Sequence, residues 1–311
     1  MRFPGPLVQE PRNWRGTRLE DLDKHRLASR RFRKLQFFPL RGPGFLSISR
    51  NFLDVRQLPD SISEGSLTGR IAVVIDVLRA TTTMTAALAN GATAVIPCQT
   101  VEAARAECRR HPGALSGGER GGLKIEGFDL GNCPGEYSAA TVGRRTIVFT
   151  TTNGTRALAA CQDARQVVLG AFVNAAAVIR HVLDFDGDAT LVCAGTDGVP
   201  TLEDSLLAGC LVEGLMDASG GRRYRPAAAA HAALEMWRTA RRRLREPAGL
   251  AGILATCQGG KNLVRLGLER DLELAAEVDR WSCVPCRNQG TGWIEAGRPV
   301  QPAAPVDKLP L

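Results

Sequence analysis

The chain has 311 residues, 44% of them hydrophobic, with a formal net charge of +8, enough for one large α/β unit or two domains with a sizeable core. No run of 18 or more apolar residues occurs, so nothing reads as a membrane-spanning helix. Residues 1–50 hold 12 Lys or Arg against 4 Asp or Glu, and the rest of the chain carries 28 of each sign; the basicity belongs to an N-terminal arm, and the neutral body argues against a nucleic-acid partner.

Taken in chain order, residues 1–45 come first. Arg, Pro and Gly dominate "RLASRRFRKLQFFPLRGPGF" without a sustained period, which predicts a disordered extension. A tether to nucleic acid or to an anionic surface is the alternative, and it would bring steep salt dependence. Glu20, Asp21 and Asp23 count against a transit peptide, and the opening residues lack the apolar run of a secretory signal.

From about residue 70, apolar β-branched runs alternate with helical patterns. "IAVVI" (71–75) reads as a buried strand ending on Asp76, followed by Arg79 and a helix from about Thr82 to Asn90, with Gly91 as its stop. "AVIPC" (94–98) is the next strand, and Thr100 opens the helix after it. Residues 116–142 are polar and Gly-rich and read as one long functional loop. "TIVFT" (146–150), "VVLGAFV" (167–173) and "ATLVCAG" (189–195) are further strands, and 204–280 is mainly helical.

This alternation predicts an α/β fold: a three-layer α/β/α sandwich with mostly parallel or mixed sheets. Two similar halves are expected, about 46–143 and 144–295, followed by a C-terminal tail at 296–311. The arginines at 241–243 read as a solvated helix face, and His231 as a packing or surface residue. Nine cysteines are too sparse for a disulfide scaffold, which points to a reduced, cytoplasmic protein. Cys283 and Cys286 form a C-x-x-C, but no second ligand pair accompanies it for zinc.

Three strands end in small and hydroxyl residues just before a helix: "DVLRATTT", "TTTNGTR" and "AGTDGVPT". Strand C-termini and helix N-termini share one edge of such a sheet, where free N–H groups and helix dipoles favour anions. Thr81, Thr82, Thr152, Asn153, Gly154, Thr155 and Thr196 are therefore substrate-binding candidates. Arg79 and Arg156 add guanidinium groups suited to phosphate or carboxylate. The Gly-rich loop adds Arg120, Asn132 and Cys133. Neither a Walker A loop nor a G-x-G-x-x-G fingerprint is present, so the ligand expected is a small, multiply charged anion.

Carboxylates are equally concentrated. Asp76 ends its strand, Glu119 and Asp129 lie in the Gly-rich loop, and Glu203 and Asp204 open the third helix. With few histidines and many oxygens, this set suits Mg²⁺ rather than zinc. Asp76, Glu119 and Asp129 are the catalytic candidates, and all five acids are metal candidates. Asp76 could also be a nucleophile, but the acid/base Asp that aspartyl-phosphate enzymes carry two residues on is Leu78 here.

"VIDVLRATTTMTAALANGA", "GERGGLKIEGFDLGNCP", "TTNGTRAL", "CAGTDGVPTLED" and "CQGGKNLVRLGLERDLELAAEVD" resemble, in order, successive blocks of the 2-phosphosulfolactate phosphatases. The resemblance runs from about Phe52 to Glu295. It implies an α/β/α fold of two similar halves and Mg²⁺-dependent hydrolysis of 2-phospho-3-sulfolactate to 3-sulfolactate and phosphate. In methanogens that reaction serves coenzyme M biosynthesis. Cys133 stands where the family block usually reads serine, and Cys257 where serine is common. Alternatives are a phosphatase of another small phosphorylated carboxylic acid and a non-catalytic phosphometabolite-binding protein. No membrane partner is expected, and a homo-oligomer is compatible with the sequence.

Overall fold

The computed structural model describes residues 51–297; the expectations for the basic arm and for most of the tail lie outside those residues. The described chain begins with β1 (Asn51–Arg56), β2 (Ile71–Ile75), α1 (Ala80–Ala89), β3 (Ala94–Pro97) and α2 (Val101–Arg110). Next come β4 (Leu115–Arg120), β5 (Leu123–Lys124), α3 (Ala139–Val142), β6 (Thr146–Thr150) and α4 (Gly154–Ala160). β7 (Gln166–Gly170), α5 (Ala175–Asp184), β8 (Ala189–Cys193), α6 (Leu202–Ala218), β9 (Tyr224–Pro226) and α7 (Ala228–Arg241) follow. The last elements are α8 (Gly249–Thr256), α9 (Gln258–Arg265), α10 (Arg270–Ala275), β10 (Pro285–Arg287) and β11 (Ile294–Ala296).

The strands form one mixed, mostly parallel sheet in the order β5-β4-β6-β3-β11-β10-β7-β2-β8-β1-β9. Two parallel blocks, β4-β6-β3 and β7-β2-β8-β1-β9, are joined by the β10–β11 hairpin, which runs antiparallel to both neighbours. The halves expected on either side of residue 143 interleave: β6 hydrogen-bonds between β4 and β3, and β7 pairs with β2. β1, β9 and the strand pairing of the hairpin had no sequence expectation.

Strand alternation builds both faces. Ile71, Val73 and Ile75 of β2 point into one core, with helices α5 to α8 and Trp237 packed 5.8 Å from Phe172. Ala72 and Val74 point into the other, with α1, α4 and Phe149. Period-2 burial on both faces is what a central strand in a three-layer fold requires. No helix among the described residues is long and apolar enough to cross a membrane.

The Gly-rich stretch is more ordered than its composition suggests. β4 runs through Ser116–Arg120 beside β6, and a Cβ on Gly118 would sit 2.0 Å from the Thr150 carbonyl oxygen. The glycine is there because another backbone approaches closely, and it hid the strand from sequence reading.

Candidate active site

β2 delivers its carboxyl end into the middle of the sheet, and the chain then turns sharply into α1. Asp76 makes that turn: its Oδ1 accepts from the Ala80 amide at 3.1 Å, and its backbone carbonyl accepts from the Thr81 amide at 3.0 Å. α4 reaches over from β6 to close the other side. A Cβ on Gly154 would lie 2.4 Å from the Ala80 Cβ and 2.9 Å from Asp76 Oδ2, so only glycine lets the two helix starts meet.

A cavity of about 230 Å³ opens at this point. Asp76, Arg79, Glu119, Asn132, Thr152, Asn153 and Thr196 line it, and the structure therefore brings together seven of the residues singled out from the sequence. Sequence reading missed the rest of the wall: the Gly121–Gly122 turn, Asp197, and Asn262 and Arg265 of α9.

Carboxylates of the chain itself occupy most of the amide donors here. Glu119 accepts from the Gly122 and Thr152 amides, both at 2.8 Å. Asp204 accepts from Val77 at 2.9 Å and from Gly195 at 3.0 Å, tying the ends of β2 and β8 together. Glu203 Oε1 accepts from the Gly259 amide at 3.1 Å. The expected nests are largely filled by the protein's own acids.

The result is a crowded acidic centre. Burial raises the Asp76 carboxyl from its ordinary 3.8 to about 7; the Glu119 and Glu203 charges add to this, while the Ala80 amide and Arg79 oppose it. Burial, with Asp76 and Glu203 nearby, pushes Asp204 well above the carboxylate range. Burial raises Glu203 as well. Each shift says that ionisation is resisted by lack of solvent and by like charge.

Arg79 does little to balance these acids. It is buried, with Nη1 donating to Asp271 Oδ2 at 2.6 Å and to Cys133 Sγ at 3.2 Å, and Nη2 to the Gly122 carbonyl at 2.6 Å. Its charge is matched by α10, and its fork holds the β4–β5 turn. The substrate-binding candidate Arg79 thus lines the cavity with protein partners already on its fork. Burial raises the Cys133 thiol to about 12, so it stays protonated against this guanidinium.

Other expectations are corrected more simply. Thr81 Oγ1 donates to the Asp76 and Gly170 carbonyls, Thr82 to Val77 and Thr83 to Asn132; the threonine row fastens a fully buried helix instead of facing ligand. Thr155 donates to the Thr151 carbonyl and does not line the cavity. Arg156 lies on the exposed side of α4 and pairs with Asp60. Arg120 donates to the Glu119 carbonyl and to Thr150 Oγ1. Asp129 is exposed near the start of β4, where it accepts from the Ser116 amide and hydroxyl at 2.8 and 2.7 Å. Those bonds hold its carboxyl below the ordinary value, over an opposing desolvation effect. β4 separates it from Glu119, so Asp129 is not a ligand of this centre.

A metal ion was expected here, and the residues present bear on that. Among the described residues, no three His, Cys, Asp or Glu side chains converge to hold an ion by themselves. Yet Asn132 Oδ1 is buried in the cavity wall without a hydrogen-bond partner, and Asp76 keeps one oxygen directed at Gly154 with no donor on it; Glu203 Oε2 is unpartnered too, but Glu203 does not line the cavity. An all-oxygen set with one or two carboxylates fits Mg²⁺, which retains several waters and shares its shell with phosphate. Asp204, with both oxygens held by amides and no face on the cavity, is a support for this centre, not a wall of it.

The sequence comparisons bear on the same region. Residues 57–290 match the family model described as 2-phosphosulpholactate phosphatase. A protein of Clostridium acetobutylicum, named a probable 2-phosphosulfolactate phosphatase, is 35% identical over 232 residues, 74% of this chain and 95% of its own length. Proteins of the same name from Symbiobacterium thermophilum and Deinococcus radiodurans are 40% and 44% identical. These cover 72% and 69% of this chain, and 94% and 86% of the relatives.

Proposed function

Because the chain belongs to the 2-phosphosulfolactate phosphatase family, we propose that it is a Mg²⁺-dependent phosphatase that hydrolyses 2-phospho-3-sulfolactate to 3-sulfolactate and phosphate. The observation that carries the metal requirement is the acidic cavity. Asp76, Glu119 and Asp197 line it against Arg79 and Arg265, and Asp271 already balances Arg79. A substrate bearing phosphate, sulfonate and carboxylate would be repelled from such a wall unless a cation entered with it.

Asp76 is the residue best placed to hold Mg²⁺, with Glu119 across the cavity and the Asn132 amide oxygen as a neutral neighbour. Bound there, Mg²⁺ would supply charge neutralisation at the phosphate and a lowered pKa for water. The chain's own groups do the positioning that a loose phosphoryl-transfer transition state needs. The Thr152 and Thr196 hydroxyls and the Asn153 side-chain NH₂ offer contacts to phosphate oxygens, and the Arg265 guanidinium on the rim meets a remote anionic group. Leu78, Leu263 and Leu266 give the cavity an apolar floor that restricts water. In the reaction, a water oxygen bonds to phosphorus, the ester oxygen leaves with the sulfolactate, and the water proton is returned to that oxygen.

All nine cysteines are free thiols, which fits a reducing, cytoplasmic setting. A step in coenzyme M biosynthesis is the metabolic role that the family resemblance carries. The test is phosphate release by the purified protein with Mg²⁺ across 2-phosphosulfolactate, 2-phospholactate and simpler phosphoesters. Preference for 2-phosphosulfolactate is expected. Preference for 2-phospholactate would move the reading to another phosphorylated carboxylic acid, and binding without release would make the protein a sensor.

A further inference from the structure

A second cavity, of about 370 Å³, lies on the far face of α4 and shares no lining residue with the acidic one. It exists because of the seam in the sheet. β11 runs antiparallel to β3, with Ile294 opposite Val95, so the turn that precedes β11 sits over the carboxyl end of β3. Residues Pro97–Gln99 on one side and Thr291–Trp293 on the other form two walls. The third is one face of α4, through Leu158, Ala159 and Gln162. Crevices outside the carboxyl ends of strands, where strand direction changes, are where α/β sheets take ligands.

The chemistry of this cavity is opposite to that of the first. Its one cation is Arg287, which pairs with no carboxylate among the described residues, and whose Nη1 is shut from solvent without a hydrogen-bond acceptor. The acid in the wall, Glu107, is already engaged: its oxygens accept from Arg110 at 3.0 Å and from His111 at 2.9 Å. The His111 ring in turn meets Trp293 edge-on at 5.2 Å. Half-buried Trp293, with Ile96 and Leu158, supplies apolar wall, and Gln99 and Gln162 add amides. The Cys98 thiol is raised to about 11 by burial, with Glu107 and Cys108 adding, so it contributes no thiolate charge to the wall.

We propose that this cavity is a binding site for a small planar organic anion, its charged group on Arg287 and its flat body against Trp293. No bond is made or broken there, and the site does not depend on which phosphoester the acidic cavity accepts. The ligand chemistry follows from the wall: a guanidinium fork recognises a carboxylate or phosphate in two contacts, and an indole plane adds stacking area.

Benzoate is the probe, with acetate as the charge-only control and benzyl alcohol as the plane-only control. The full chain, ¹⁵N-labelled, is titrated while the Trp293 indole resonance is followed, assigned through Trp293→Phe. Benzoate should shift that resonance saturably, and neither control should match it. Arg287→Gln should weaken binding by roughly tenfold or more, the scale of one charge-assisted contact. Ala159→Leu, which keeps the helix and narrows the cavity, should abolish binding. Both variants should retain basal phosphatase turnover, which also reports their folding. The proposal fails if benzoate gives no saturable shift, if benzyl alcohol binds equally well, or if the shift survives in both folded variants.

Discussion

Replacing Asp76 by Asn should make the protein more stable at neutral pH while removing its activity. The side chain is isosteric, and Asn can still accept from the Ala80 amide as Asp76 Oδ1 does. What disappears is a charge that burial and two neighbouring carboxylates oppose. A carboxyl raised from 3.8 to about 7 corresponds to a ceiling of about 4 kcal/mol of destabilisation, at about 1.4 kcal/mol per pKa unit. The sign follows from linkage: between those two values the folded state holds more protons than the unfolded one, so wild-type stability declines as pH rises from about 4 to about 7 and is level above. The assay is thermal unfolding in EDTA from pH 4 to pH 8. Near pH 4 the two proteins should melt together, and the variant should pull ahead up to about pH 7. At pH 8 a lead of roughly 5–15 °C is expected, from about 2–4 °C per kcal/mol for a domain of this size. Saturating Mg²⁺ should narrow it by stabilising only the wild type. A variant no more stable than wild type at pH 8, or a lead independent of pH, would refute the picture of a charge-frustrated centre.

The Arg79–Asp271 pair, at 2.6 Å with both side chains buried, gives a second test. Asp271→Ala should cost about 3–5 kcal/mol in urea unfolding by stranding the guanidinium, whereas Arg79→Met with Asp271→Leu should recover much of that loss without restoring turnover. Arg156→Ala should leave kcat and KM unchanged and alter stability by less than about 1 kcal/mol, because its pair with Asp60 is solvent-exposed; a large rise in KM would return Arg156 to the site. Single-turnover hydrolysis in ¹⁸O-water should leave no label in the Asp76 carboxylate, as attack by water requires. Label appearing there would make Asp76 the nucleophile.

Much of the architecture was legible because it rests on local pattern. "IAVVI" reads as a strand and is β2, the alternation of strands and helices gives a three-layer fold, and Asp76 at a strand's carboxyl end lies in the cavity wall. What could not be read depends on contacts far apart in sequence. Asp271 meets Arg79 across 192 residues; its one local trace is an acid on the face of α10 that also buries Leu272 and Ala275. The threonines after Arg79 looked like ligand donors because sequence cannot show that α1 is enclosed on every side, with carbonyls of the turn and of neighbouring strands as their acceptors. Asp129 and Glu119 are ten residues apart in one glycine-rich stretch, and only the β4 strand between them sends one inward and the other to the surface. α9 carried a family-like block, yet nothing local announced that Asn262 and Arg265 would close the cavity.

The acidic cavity should work as a cation-dependent phosphatase site. The measurement is phosphate release from 2-phosphosulfolactate by EDTA-stripped protein as Mg²⁺ is added back, run in parallel on wild type and Asp76→Asn. Wild type should be inert without Mg²⁺ and recover along a saturable curve, while the variant stays near background or demands far more metal. Full turnover by the stripped wild type, or a wild-type Mg²⁺ curve in Asp76→Asn, would contradict it.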